Sequence, residues 1–171
     1  MTKLDLSVFD EYQLKEIKKG LENGVDISKY AKSEFDCWQM TQIRLGLEEG
    51  LDVSVYAKPE FDSAQMDPIR FGLEEGIDVS AYAKPEFGMG QMEQILLGLK
   101  GNVDISIYAK PNFDEFQMEE IRLGLEEDFD VNFYAKEEFD YKQMREIRLG
   151  LMTVKKSLKD KLCDDIQALL K

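Results

Sequence analysis

Aspartate and serine stand two positions apart at four places in the sequence, and both side chains could take part in chemistry. The four pairs are Asp26 with Ser28, Asp52 with Ser54, Asp78 with Ser80, and Asp104 with Ser106. Carboxylate and hydroxyl oxygens can bind calcium, but these turns lack the closely alternating oxygen ligands of calcium-binding loops. We therefore expect the aspartates to cap helices and the serines to hydrogen-bond within the first helical turn.

The remaining residues offer little for catalysis. The chain of 171 residues contains no histidine, which is the commonest general base and the commonest transition-metal ligand. Cys37 and Cys163 lack metal-ligand spacing, and the glycines never form a phosphate-binding pattern. Carboxylate pairs recur several times, whereas an active site is normally singular. These features predict a protein that is not an enzyme and uses no cofactor and no metal, and the cysteines favour a reducing cytoplasm.

An internal repeat organises the elements that carry these residues. Phenylalanine recurs with a period of 26 residues, at Phe9, Phe35, Phe61, Phe87, Phe113 and Phe139. Gln39, Ile43 and Gly46 also have counterparts at this spacing in the other copies. A fixed period of this length is typical of stacked repeat proteins.

Each copy carries the end signals of two helices. In the second copy, Asp36 and Gln39 have the spacing of a capping box, and Gly50 is placed to end a helix of about 13 residues. Asp52 can then cap a second helix, which must be short because Pro59 disfavours helical geometry at the preceding residue.

The pattern predicts an all-α protein, specifically an α-solenoid of about six repeats of 26 residues, each with one long and one short helix, and a C-terminal capping helix. The predicted segments are an N-terminal cap segment (1–8), repeats at 9–34, 35–60, 61–86, 87–112, 113–138 and, as a partial copy, 139–151, and the capping helix (152–171).

The C-terminal segment carries an apolar stripe at helical spacing, formed by Val154, Leu158, Leu162, Ile166 and Leu169. This helix could either continue the preceding one or bend back over the last repeat. If it does not fold back, the stripe becomes a surface for homodimerisation.

Fixed positions of the long helix predict its packing. Met40, Ile43 and Leu47 share one stripe and are expected to form the core seam. Gly46 in mid-helix costs about 1 kcal/mol relative to alanine, which suggests close approach by a neighbouring helix. A second apolar row is also predicted to lie in the core, at Leu45, Phe71, Leu97, Leu123 and Leu149.

Arginines four residues before glutamates suggest ion pairs along the helix surface. Arg44 with Glu48 is one example, and Arg70 and Arg122 have the same spacing to a glutamate. Such i,i+4 pairs are predicted to be solvated and to contribute only a few tenths of a kcal/mol.

Positions whose chemistry changes between copies are candidates for binding. The second position of the long helix carries Tyr12, Trp38 and Phe116, and a variable row on the short helix carries Phe133. These aromatics could form an exposed ladder for a partner, or could lie at the rim of the core. The candidate partner-binding residues are Tyr12, Trp38, Phe116, Tyr141, Phe133, Glu49, Glu75 and Glu127.

Charge narrows the class of partner. The chain has 22 basic and 35 acidic residues, a net charge of −13, which disfavours direct binding of nucleic acid or anionic lipid. The acidic excess falls in residues 46–130, which hold 6 basic and 20 acidic residues. Acidic pairs there could form a solvated face, a docking surface for a basic partner, or a mimic of nucleic-acid phosphates.

No apolar run reaches the roughly 20 residues of a membrane span, and residues 1–9 lack a secretory signal pattern.

The repeat, represented by QIRLGLEEGLDVSVYAKPEFD, resembles a 26-residue α-helical repeat of uncharacterised proteins from Gram-positive gut bacteria and their mobile elements. The resemblance covers about residues 9–151. It implies a solenoid in a bacterial cytoplasm and brings no established activity.

We expect a non-catalytic scaffold for protein–protein interaction. The alternatives are an acidic nucleic-acid mimic that inhibits a DNA- or RNA-binding protein, and a structural spacer or homodimer.

Overall fold

The computed structural model describes residues 4–169, so the ends of the predicted N-terminal segment 1–8 and of the C-terminal segment 152–171 lie outside it. Within that range the protein is helical and has no strand, which confirms the all-α prediction. The α-helices are α1 Glu11–Glu22, α2 Cys37–Glu48, α3 Ser63–Glu74, α4 Met89–Lys100, α5 Glu115–Glu126 and α6 Tyr141–Leu169. The 3₁₀ helices are Leu6–Val8, Ile27–Lys29, Val53–Val55, Val79–Ala81 and Ile105–Ile107.

Capping boxes start the α-helices as the sequence predicts. At α2 the Asp36 carboxylate accepts hydrogen bonds of 2.8 Å from the main-chain N–H groups of Trp38 and Gln39. The Gln39 side-chain oxygen in turn accepts from the Asp36 N–H at 2.8 Å. The same reciprocal box begins α1, α3 and α5. Both ends of the box satisfy N–H groups that have no partner inside the helix.

The helix ends and the short helices also follow the end signals. Gly50 takes a left-handed φ of 74° just after α2, a conformation that glycine adopts without a Cβ penalty. Asp52 then caps the 3₁₀ helix Val53–Val55 by accepting a hydrogen bond of 3.1 Å from the Ser54 N–H. The predicted short helix is therefore a single 3₁₀ turn, and the aspartates are N-caps.

The first compact unit, Met1–Leu97, is built on packed consecutive helices. Helix α2 packs against both α1 and α3. Met40 and Ile43 on α2 are fully buried, as the predicted seam requires, whereas Leu47 is only half-buried. The phenylalanine before each helix and the tyrosine after each 3₁₀ turn complete this core, at Phe35, Phe61, Phe87, Tyr30, Tyr56 and Tyr82.

The mid-helix glycine makes room for a tyrosine and not for a neighbouring helix. A Cβ atom at Gly46 would overlap the hydroxyl of Tyr56 and would also crowd Val53. The Tyr56 hydroxyl donates a hydrogen bond of 3.2 Å to the main-chain oxygen of Gln42, one turn before the glycine. The prediction of close helix–helix approach was therefore wrong, because the close contact lies within one copy of the repeat.

The second apolar row does not lie in the core. Leu45 is half-buried, and Phe71 and Leu97 are each 42% exposed. Leu123 is also half-buried, and Leu149 is exposed. The prediction was wrong because the methionine–isoleucine seam already fills the core, which leaves the opposite side of each helix facing solvent.

The second compact unit is Gly98–Lys171, in which α5 packs against α6. Met118 and Ile121 on α5 and Met144 on α6 are fully buried. Helix α6 runs without interruption from Tyr141 to Leu169, and every residue in 152–169 is exposed. The C-terminal segment is therefore a continuation of the last long helix and does not fold back over the repeat. None of the helices in the described range is both long and apolar enough to cross a membrane.

Candidate functional site

Four of the repeated glutamines are structural, because both ends of each amide are hydrogen-bonded. The Gln39 amide nitrogen donates a hydrogen bond of 2.7 Å to the main-chain oxygen of Phe61, which begins the next copy. Its oxygen closes the capping box, and the residue is only 7% exposed. The equivalent bonds run from Gln13 to Phe35, from Gln65 to Phe87 and from Gln117 to Phe139. In these four copies the amide is used within the protein and is not available to bind a ligand.

The repeated tyrosines are also unsuited to catalysis. The Tyr30 hydroxyl donates a hydrogen bond of 3.0 Å to the Glu16 main-chain oxygen, and the ring is fully buried. Burial raises the pKa of Tyr30 to about 12. Burial likewise raises the pKa values of Tyr56, Tyr82, Tyr108 and Tyr134. A phenol held neutral in the core cannot exchange protons with a substrate near neutral pH.

In each aspartate–serine turn, the aspartate carboxylate already accepts a hydrogen bond from the main-chain N–H of the serine two residues later. The Ser28 hydroxyl donates a hydrogen bond of 2.6 Å to Asp26, and this bond, with that from the Ser28 main chain, lowers the pKa of the Asp26 carboxyl. Among residues 4–169, no group of three acidic, cysteine or histidine side chains could hold a metal ion. Cys37 is half-buried, and this burial raises the pKa of its thiol, which keeps it in the less reactive form.

Buried ion pairs link successive helices, and sequence reasoning missed them. The Arg44 side chain is only 8% exposed; its Nε donates to Glu16 on α1 at 2.9 Å and its Nη1 to Glu48 at 2.6 Å. The predicted i,i+4 partner Glu48 is therefore correct, but the arginine is not solvated. Burial would raise the pKa of Glu16, but the hydrogen bonds from Lys19 and Arg44 outweigh that effect and lower it.

The second unit contains a related pair. The Glu120 side chain is fully buried on α5 and accepts hydrogen bonds from Arg145 at 2.6 Å and from Arg148 at 2.8 Å, both on α6. Glu120 and Arg148 have the same 28-residue separation as Glu16 and Arg44. That separation, read from the repeat, is the signal that could have revealed these interhelical pairs.

In one copy of the first unit, two apolar residues stand where other copies have this polar pair, and they line a groove. Gln42 accepts a hydrogen bond of 3.0 Å from Arg70, 28 residues later. In the next copy Pro68 and Leu96 stand at the positions of Gln42 and Arg70, and both are apolar. Pro68 and Leu96 line a groove of about 240 Å³. Its other lining residues are Phe71, Leu97, Asp67 and Glu93. The groove thus has an apolar floor with carboxylates beside it.

Two predicted aromatic residues are the most exposed of the candidate rings. Tyr12 on α1 is 65% exposed and Trp38 on α2 is 68% exposed. They occupy the same helical position on two helices that pack together. The Lys15 ammonium lies 5.2 Å from the centroid of the Tyr12 ring.

The structure brings together two of the other predicted aromatics. The rings of Phe116 and Tyr141 lie 5.3 Å apart, with Phe116 exposed and Tyr141 half-buried. The Arg145 guanidinium lies 5.7 Å from the Tyr141 ring centroid. Phe133 is exposed and meets Tyr134 edge-on at 5.2 Å. The second unit therefore contains two aromatic contacts, each with one exposed ring.

The predicted carboxylates are exposed, and Glu49 and Glu127 each lie near a cation. Glu49 lies 3.2 Å from Arg70, and Glu127 lies 3.9 Å from Lys155. Glu75 is exposed at the end of α3. Neutralisation of Glu49 and Glu127 weakens the field that a row of free carboxylates would create.

Comparisons with family models, with curated proteins and with solved structures each find no match to this chain.

Proposed function

We propose that the protein is a non-catalytic scaffold whose six helical repeats stack as an α-solenoid and bind another protein through exposed positions that vary between copies. The interhelical bonds of Gln39 and Arg44 support this arrangement, since each joins one copy to an adjacent one. The free cysteines Cys37 and Cys163 fit a reducing compartment, so the proposal places the scaffold in the cytoplasm.

One observation carries the proposal: two adjacent residues of α2 have opposite roles. Gln39 is 7% exposed and uses its amide to bind the next copy, whereas Trp38 is 68% exposed. Tyr12 and Gln13 show the same contrast on α1. Repeated residues thus hold the helices together, while variable residues present large rings to solvent. Tryptophan and tyrosine are the side chains that most often dominate protein-binding energy.

The charge and the groove indicate the chemistry of the partner. The net charge of −13 and the carboxylates Asp67 and Glu93 beside the apolar groove favour a partner segment that combines apolar or aromatic anchors with lysine or arginine. Such a segment would bury its anchors against the rings and the groove, and its cations would meet the acidic rim.

The experiment is selection from a random peptide phage library on the immobilised full-length protein. We expect enrichment of peptides that carry basic residues next to apolar ones, and at least a tenfold loss of affinity in a Tyr12→Ala, Trp38→Ala double variant. Leu21→Ala is the matched control, since Leu21 is also exposed on α1 but is not one of the candidate residues. Peptides that bind the double variant as tightly as the wild type would overturn the assignment of these rings.

The acidic nucleic-acid mimic remains the alternative. It is less well supported because Glu49 and Glu127 lie beside Arg70 and Lys155. A DNA-binding partner displaced by this protein, with an affinity that falls steeply as salt rises, would favour the mimic. Binding that changes little with salt would favour the aromatic surface.

A further inference from the structure

The apolar stripe on the C-terminal part of α6 is exposed, although Lys155 in the same segment contacts Glu127 and Phe129. Every residue in 152–169 is exposed, including Val154, Leu158, Leu162 and Ile166, whose exposures range from 48% to 64%. An isolated helix of this length is marginal in water, because most helical stability comes from packing an apolar face. The stripe therefore needs a second surface to cover it.

The spacing of the stripe is symmetric about Asp160. Leu158 and Leu162 lie two positions on either side, and Val154 and Ile166 lie six. Leu169 lies nine positions after Asp160, and the half-buried Leu151, which precedes the stripe, lies nine positions before it. Two copies of such a helix in antiparallel orientation place leucine opposite leucine and valine opposite isoleucine along the whole stripe. At 100° per residue, Asp160 lies roughly opposite the centre of the stripe, so the two central aspartates point away from the shared surface.

Charge distribution favours the same orientation. On either side of Asp160, the first half of the segment carries Lys155, Lys156 and Lys159, and the second half carries Asp164 and Asp165 together with Lys161. Antiparallel pairing sets the basic half of one helix beside the acidic half of the other, whereas parallel pairing sets like charges together. The helix dipoles also favour the antiparallel arrangement.

We propose that residues 151–169 pair with the same segment of a second copy, in antiparallel orientation about Asp160, and so join two scaffolds. From residue 151 to residue 169 there are 18 steps of the helix, which rise by about 27 Å. A contact of this length is below the standard interface size, so we expect a reversible dimer with a Kd on the order of micromolar. The dimer goes beyond the proposed binding function and does not depend on it.

The first test is sedimentation equilibrium of the full chain over a range of protein concentrations. We expect dimers that are lost in a Leu158→Glu, Leu162→Glu variant. Both leucines are exposed, so the fold of the monomer should survive, and circular dichroism checks this. A Ser157→Glu, Gln167→Glu variant adds the same charge away from the stripe and should still dimerise. A wild-type chain that is monomeric throughout, or a leucine variant that dimerises normally, would overturn the proposal.

The second test determines orientation. A spin label on Ala168→Cys is introduced after Cys37 and Cys163 are changed to serine. In the antiparallel dimer, the labelled positions are separated by 16 residues along the axis, or about 24 Å before the width of the pair is added. A label on Asp160→Cys should show a clearly shorter distance than the label at position 168. Equal short distances at both positions indicate parallel pairing and would contradict the proposal.

Discussion

The hydroxyl of Tyr56 occupies the space that a side chain on Gly46 would fill. The ring is fully buried, and its hydroxyl donates to the main-chain oxygen of Gln42 at 3.2 Å. The glycine therefore leaves room for the tyrosine of its own copy. The hydrogen bond of that tyrosine holds the 3₁₀ turn after α2 against α2. The same overlap occurs between Gly20 and Tyr30 and between Gly72 and Tyr82.

Gly46→Ala should destabilise the protein even though alanine is the better helix former. The new methyl group must displace the Tyr56 hydroxyl or Val53, at a cost of about 1 to 3 kcal/mol in the free energy of unfolding. Gly150→Ala is the control, since Gly150 holds the same repeat position but a Cβ atom there meets nothing within 4 Å. Urea denaturation should show that this control raises the free energy of unfolding by up to about 1 kcal/mol. Equal effects at the two positions would contradict the role of the tyrosine.

Arg44→Ala should lower the free energy of unfolding by about 3 kcal/mol. The change leaves Glu16 in a largely buried site with Lys19 as its remaining cationic partner. Lys18→Ala is the control, since its pair with Glu22 spans 3.6 Å between exposed side chains. Lys18→Ala should change the free energy of unfolding by no more than about 0.5 kcal/mol. Urea is the appropriate denaturant because guanidinium would screen the charges.

Stability should fall on the alkaline side of pH 10. Burial raises the pKa of Tyr30 from 10.0 to about 12, so the folded state holds a proton that the unfolded chain releases above pH 10. The stabilisation is complete below pH 10 and is lost as the pH rises through about 12. Urea midpoints measured at pH 9, 10.5 and 11.5 should therefore decrease in that order. Tyr30→Phe should reduce the slope, and an unchanged slope would contradict the burial of this phenol.

Sequence reasoning succeeded where the interacting residues are close in the chain. The Asp36–Gln39 box and the turn at Gly50 involve neighbours within a few residues, so their residue types alone specify the geometry. The repeat then extended each local assignment to the other copies.

Sequence reasoning failed where the partner lies further along the chain. The Gly46–Tyr56 contact and the Glu16–Arg44 pair depend on how one segment folds against another, which the helical period alone does not reveal. The exposure of Phe71 was also mispredicted, because an apolar residue on a helix does not say which of two faces meets the core. Of the candidate site, Tyr12 and Trp38 are exposed, which both an aromatic ladder and a position at the rim of the core allow. The Pro68–Leu96 groove was not anticipated.

The groove predicts a coupled pair of substitutions. Leu96→Arg alone should destabilise the protein by about 1 to 3 kcal/mol, because the buried Nε–H would face Pro68, which has no side-chain acceptor, even with the Glu93 carboxylate three residues before it. Adding Pro68→Gln supplies the acceptor that Gln42 offers to Arg70 and should recover at least about 1 kcal/mol beyond the effect of Pro68→Gln alone. A double-mutant cycle measures this coupling, and strictly additive effects would contradict the equivalence of the two positions.

The most direct test of the account compares Trp38→Ala with Gln39→Ala in the full chain. We expect Gln39→Ala to lower the free energy of unfolding by about 2 kcal/mol, since it removes one cap bond and one bond to the next copy. Trp38→Ala should change it by less than about 0.5 kcal/mol, because the ring is mostly exposed. A tryptophan variant that loses as much stability as the glutamine variant would contradict the division between residues that hold the helices together and residues left free to bind.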